Sequence, residues 1–294
     1  MAAPEASVTA GQGIGPELAE FTRRISAELG VPAAELPGFP DVALRVRQVL
    51  ARDNISIDEV VRVVSAEPSL AVRLLQLANS AALNPGRQRI TTLRTAVARV
   101  GFSLARTATI AFAMSQMRRA EAWRDLAVRF RRIWEQSARL AAVSFAVARH
   151  QGRLDADQAL LAGMLQAVGK LFVLIRVSRF PALLADAAIC SEIEQVWQGR
   201  AVRALLMRWD LPQEVLDAAS ADTADDRGDG LASLSDVLKV AHCLVEVSDA
   251  GTRAAVPFPR PAPFQRLGLD DAGVAQVLAD SAVEIASLRA ALAD

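Results

Sequence analysis

The chain has 294 residues and is 52% hydrophobic, which gives it material for a buried core without disulfide or metal staples. Its 33 basic and 33 acidic side chains cancel, so no global field draws it to nucleic acid or to an anionic membrane, and such binding would need a local patch. Tyrosine is absent, and Lys170 and Lys239 are the only lysines among the cations, which reads first as a compositional bias towards arginine.

The start, Met1-Ala2-Ala3-Pro4-Glu5, lacks a basic n-region and an apolar h-region, and no run reaches about 18 uninterrupted apolar residues. A soluble, cytoplasmic protein is expected. Gly11-Gln12-Gly13-Ile14-Gly15-Pro16 superficially matches a phosphate-binding glycine loop, but no strand precedes it and Pro16 interrupts it. Residues 1–32 therefore read as a partly flexible leader.

From there the pattern is helical, because Leu, Ala and Arg dominate and apolar residues recur at three and four. Ser56 and Glu59 make a capping box that opens a helix with Ile57, Val60, Val61 and Val64 on one face. After Glu67-Pro68-Ser69 a second helix carries Leu70, Leu74, Leu75, Leu77, Ala78 and Ala81, and is expected to end near Asn84-Pro85-Gly86. A third runs from near Thr92 to Gly101, and Ser103 can cap a fourth with Leu104, Ala108, Phe112 and Met117.

A longer helix is predicted from about Asp125 to Arg149, stopped by Gly152, and Asp155 opens the next. Phe180-Pro181 starts another, and Pro212 suits a first helical turn. Residues 235–247 and 270–292 complete the set, and the proline-rich stretch 257–263 is expected to be an extended connector. Cys190 and Cys243 stand apart in apolar surroundings, where a thiol serves as a small buried hydrophobe.

The fold class follows as all-α. Leu36, Pro37, Pro40, the Ser56–Glu59 cap, Glu67-Pro68-Ser69-Leu70, Leu74-Leu75-Gln76-Leu77-Ala78-Asn79-Ser80, Ile90-Thr91-Thr92-Leu93, Ala96 and Val100-Gly101 stand in an order and spacing that resemble the start of an HDOD domain. Such domains are the non-catalytic relatives of HD and HD-GYP phosphohydrolases. The resemblance continues through Trp134, the 160–170 segment with Gly169, and Trp209-Asp210-Leu211-Pro212.

It implies two packed helical bundles, the second HD-like with a degenerate metal site: an HDOD domain at 33–250, divided at 118/119, then a connector and C-terminal helix at 251–294. Pro37, Pro40, Asn79, Ser80, Gly101, Gly169 and Pro212 would be structural. Asn79 reads as an architectural amide at a helix terminus rather than a ligand contact.

The same resemblance places the catalytic relatives' metal ligands at Gln136, Gln166, Ala167, Gln198, the Asp222 region and His242. An amide oxygen is a weak neutral ligand and a methyl is none, so a water-activating di-metal centre is not expected, and neither is enzymatic activity or a cofactor. His242, among Val240, Ala241 and Leu244, reads as a partly buried hydrogen-bonded histidine, and His150 as a cation at a helix C-terminus.

Arg118, Arg119, Arg124, Arg129, Arg131 and Arg132 form the densest basic stretch, interleaved with Glu121, Asp125 and Glu135 as on a solvated helix face. What the resemblance implies is a stand-alone bacterial regulatory module that binds another protein, with a link to cyclic-dinucleotide signalling. Arg118, Arg119, Trp123, Arg124, Arg131 and Arg132 are the candidate partner contacts. A nucleotide or other phosphorylated ligand in the degenerate pocket, anchored by Lys170, stays open as an alternative. Nucleic acid bound by the arginine-rich helix is a weaker one, and a membrane is not expected.

Overall fold

The structure is a computed structural model describing residues 14–30, 41–50, 52, 54–79, 84, 89–119, 121–207, 211–221, 230–249 and 261–292. Among these residues all regular structure is helical, as expected. Pro37, Pro40, Ser80 and Asp222 lie outside the described residues.

The first bundle contains α2 (Asp41–Leu50), α3 (Ile57–Ser65), α4 (Pro68–Ala78) and α5 (Leu93–Arg119). Ser56 and Glu59 close the capping box in both directions, with Glu59 N–H donating to Ser56 Oγ at 3.3 Å and Ser56 N–H to Glu59 Oε2 at 3.1 Å. α4 stops at Ala78, earlier than its apolar pattern suggests, because the Asn79 amide takes the Leu75 carbonyl at 2.8 Å and turns the chain. α5 is broken at Gly101, whose φ of 76° and ψ of 168° a side chain would oppose. The sequence reading of two helices separated there describes the same kink.

The second bundle contains α6 (Ala127–Gln151), preceded by a 3-10 turn at Glu121–Leu126, α7 (Ala156–Val177), α8 (Pro181–Ala185), α9 (Ala187–Leu206), α10 (Gln213–Ser220) and α11 (Leu234–Asp249). Gly152 ends α6 in the left-handed region, and the Asp155 carboxylate caps α7. One helix expected after Pro181 is in fact two, because Asp186 turns extended and caps α9 through Ala188 N–H and Ile189 N–H.

α7 is the axis of this bundle. From Ala159 to Val177 every residue except Lys170 is buried. The helix is long and apolar enough to cross a membrane, yet 94% of its apolar window is buried inside the protein, so the core uses that hydrophobicity. Neighbours approach through glycines. A Cβ on Gly163 would sit 2.8 Å from Ala141 Cα of α6, and one on Gly169 would sit 2.4 Å from the Gln198 carbonyl oxygen of α9.

Beyond the changes at α4, at α8 with α9, and at α2, which the sequence reading did not place, two further elements depart from it. Within the expected leader, Ile14–Leu29 forms a helix, α1, whose Phe21 meets Phe180 and Trp197 edge-on at 5.7 and 6.5 Å between ring centroids. Glu28 of α1 pairs with Arg176, which stacks on Phe172, and Glu17 accepts from Ala182 N–H of α8 at 3.1 Å. Within the proline-rich stretch, Pro261 precedes a short helix, α12 (Ala262–Arg266), since prolines are tolerated where a first-turn N–H has no partner anyway.

The last helix, α13 (Asp271–Leu292), packs on α6 and on α4, and α5 packs on α7. The two bundles share one continuous apolar core.

Candidate functional site

A cleft of about 1020 Å³ opens between α6, α7, α9, α11 and α12. Each helix contributes a polar stripe at helical spacing: Arg129, Arg132 and Gln136 from α6; Cys190, Glu194 and Gln198 from α9; Lys239, His242, Cys243 and Glu246 from α11. Lys170 enters from α7, and Pro261 to Phe264 form an apolar wall. The positions expected from the sequence to replace metal ligands therefore converge, with Gln136, Gln198 and His242 lining the cleft.

Beside them His242 and Gln166 are joined. The imidazole Nε2–H donates to Gln166 Oε1 at 2.7 Å, since that oxygen can only accept. Gln166 is 5% exposed, and Ala167 beside it is fully buried. Burial, with Lys170 adding to it, lowers the His242 pKa to about 4, so the ring is neutral near pH 7.

The set does not fit a metal ion. It offers one imidazole whose Nε2 is already engaged, amides at Gln136, Gln166 and Gln198, and a methyl at Ala167, with the Lys170 ammonium close by to repel a cation. Among the described residues no group of three or more His, Cys, Asp or Glu could hold a metal. Glu194 is one of two carboxylates lining the cleft among the described residues. Burial raises its pKa, against the opposing pull of Lys170, Arg129 and Arg132. Burial also raises both cleft thiols, helped by Glu194 at Cys190 and by Glu246 at Cys243, so neither is an activated nucleophile.

The arginine-rich stretch divides. Arg129 turns inwards, donating to the Leu184 carbonyl at 2.7 Å and to Cys190 Sγ at 3.3 Å, and Arg132 lines the cleft. Arg124 and Arg131 are exposed. Trp123, expected on the surface, is half-buried because its ring packs at 6.3 Å from that of Phe130. Arg118 and Arg119 fall in the last turn of α5, and their side chains are outside the described part. Pro212 precedes α10, and His150 is exposed at the end of α6.

An all-helical second bundle stepped together through glycines defines an HD-like phosphohydrolase fold. The HDOD domain model matches residues 36–224, and the chain belongs to that family. Among solved structures, the fold is similar to a Shewanella amazonensis protein provisionally named a metal-dependent phosphohydrolase, at 22% identity and a TM-score of 0.70, covering 93% of this chain and 99% of that one. It is also similar to an HDOD domain protein of unknown function from Geobacter sulfurreducens, at 20% identity and TM-score 0.58, covering 96% and 98%. A third, from Marinobacter aquaeolei and provisionally named a signal transduction protein, has 20% identity and TM-score 0.61, covering 93% of this chain and 66% of that one. No curated protein matches the sequence.

Proposed function

We propose that this protein is a non-catalytic bacterial signal-transduction module that acts by binding, not by turnover. The observation that carries the reading is the His242–Gln166 hydrogen bond beside buried Ala167. Where a catalytic relative would gather anionic and imidazole ligands around metal ions, this chain has closed the centre on itself. HDOD membership supports the regulatory class, and the name of the Marinobacter relative agrees with it.

In this reading the output is a protein contact, in a network that includes cyclic-dinucleotide signalling, made from the cytoplasm. The exposed Arg124 and Arg131 remain candidates for its surface. The test combines elemental analysis with hydrolysis assays on a cyclic dinucleotide and a generic phosphodiester, with manganese or magnesium supplied. The expected result is no stoichiometric transition metal and no product. Turnover that chelation abolishes would overturn the proposal. Capture of a partner that survives nuclease treatment and weakens on charge reversal at Arg124 with Arg131 would support the protein-contact arm.

A further inference from the structure

Of the 33 basic side chains in this chain only two are lysines, Lys170 and Lys239, and both line the same cleft. They come from different helices, α7 and α11. Compositional bias explains why lysine is rare, but it does not explain why both exceptions face one cavity. A lysine ammonium is a compact, rotatable point charge that meets a phosphate from any direction, whereas a guanidinium imposes a planar fork.

Resting on the non-catalytic reading above, we propose that the eroded HD cleft binds a phosphorylated small molecule of nucleotide type and keeps it intact, with Lys170 and Lys239 receiving the phosphate.

Charge in the cleft favours an anion. Arg129, Arg132, Lys170 and Lys239 face two carboxylates, Glu194 and Glu246, while His242 is neutral. Arg129 is already tied to the Leu184 carbonyl. Lys170 is the one residue between Ala159 and Val177 that is not buried in the core, and no hydrogen bond or salt bridge to the described residues holds its ammonium. Burial disfavours its charge, a cost that Glu194 offsets only in part and that a phosphate seated beside it would offset further. The centre that would have met phosphate with metal ions meets it instead with protein cations.

The remainder of the cleft suits more than inorganic phosphate. Gln198 Oε1 is buried with no donor among the described residues, and a buried acceptor requires an N–H or O–H. Ile133, Val240 and Phe264 supply an apolar wall. An anionic end, a hydrogen-bond donor and an apolar plane are what a nucleotide presents together. The volume, about 1020 Å³, is at the upper end for small-molecule pockets.

The test uses the full chain and three probes, adenosine diphosphate, pyrophosphate and adenosine, with calorimetric binding and product analysis on the same samples. The inference expects diphosphate binding, weaker pyrophosphate binding, and none by adenosine. Lys170→Met and Lys239→Met should each weaken diphosphate binding by about tenfold or more. Lys239→Met, on a different helix, keeps the test decisive if Lys170→Met does not fold. No binding of either phosphate probe up to about 10 mM, or binding unchanged in both variants, overturns the inference. Binding accompanied by phosphate release would support the site and overturn the non-catalytic reading instead.

Discussion

Asn79 and Ile90 exchange two hydrogen bonds across eleven residues: Ile90 N–H donates to Asn79 Oδ1 and Asn79 Nδ2 donates to the Ile90 carbonyl, each at 2.8 Å. The same Nδ2 also donates to Leu75 O at 2.8 Å, so one side chain ends α4 and fixes where the chain returns to begin α5. An amide is the side chain that can accept and donate to one backbone residue in this way.

Replacing Asn79 with Ala should destabilise the fold by about 1 to 3 kcal/mol, because it leaves backbone groups near Ile90 without partners. Asn79→Asp should also destabilise at neutral pH, since it keeps the acceptor and loses both donated bonds. Urea denaturation checks both. Unchanged midpoints would mean that the loop path is set elsewhere.

The pH dependence of stability should carry a His242 signature. Unfolded, the ring protonates near 6.5, but in the fold it resists protonation until about pH 4. Between those values the unfolded chain binds a proton that the native state refuses, so stability falls as pH drops from 6.5 to 4 and the loss saturates below. Its full size is on the order of 3 kcal/mol. His242→Gln should flatten this part of the profile, measured as the difference between wild type and variant at pH 7 and pH 4.5.

At Gly169, an added methyl would meet the Gln198 carbonyl oxygen at 2.4 Å and Val202 Cγ2 at 2.6 Å. Gly169→Ala should therefore cost about 1 to 3 kcal/mol by forcing α7 and α9 apart. It should also disturb the cleft, because Lys170 and Gln198 sit on either side of that contact. Thermal melts and calorimetry with the diphosphate probe would read the two effects separately.

The apolar wall of the cleft depends on a buried ion pair. Arg266, in the last turn of α12, donates through Nη2 to Asp236 Oδ1 of α11 at 2.7 Å, and Ser233 N–H and Oγ hold the other carboxylate oxygen. Arg266→Met should cost about 3 to 5 kcal/mol, since Asp236, 5% exposed, would be left as an unpaired buried charge. Adding Asp236→Asn to that variant should recover much of the loss. A double-mutant cycle with no coupling between the two positions would refute the assignment.

The helices were legible where local chemistry fixes their ends: the Ser56 capping box, Gly101, Gly152 and Asp155 all act as their residue types dictate. Docking of α1 was not legible, because Phe21 and Glu28 find their partners about 150 residues further along. The site was half legible. Gln136, Gln166, Ala167, Gln198 and His242 stood out as residues unlike those expected, whereas Glu194 did not, and Lys239, Arg129 and Arg132 stood out only as composition and as a basic stretch, not as cleft residues. A signal existed: Cys190, Glu194 and Gln198 repeat every four residues, as do Arg132 and Gln136, which puts polar groups on one face of helices that are otherwise buried. Which face points to a cavity depends on the neighbouring helices, and no spacing within a single helix can supply that.

The bond between His242 and Gln166 also bears on how readily this cleft could acquire metal ligands. A histidine in place of Gln166 would remove the acceptor that His242 Nε2–H holds at 2.7 Å. An aspartate in place of Ala167 would bury a carboxylate at a position that is fully buried. Each such substitution alone costs folding, and several must coincide before a metal would stay. On the non-catalytic reading proposed above, the packing at these positions thus works as a ratchet against assembly of a metal centre.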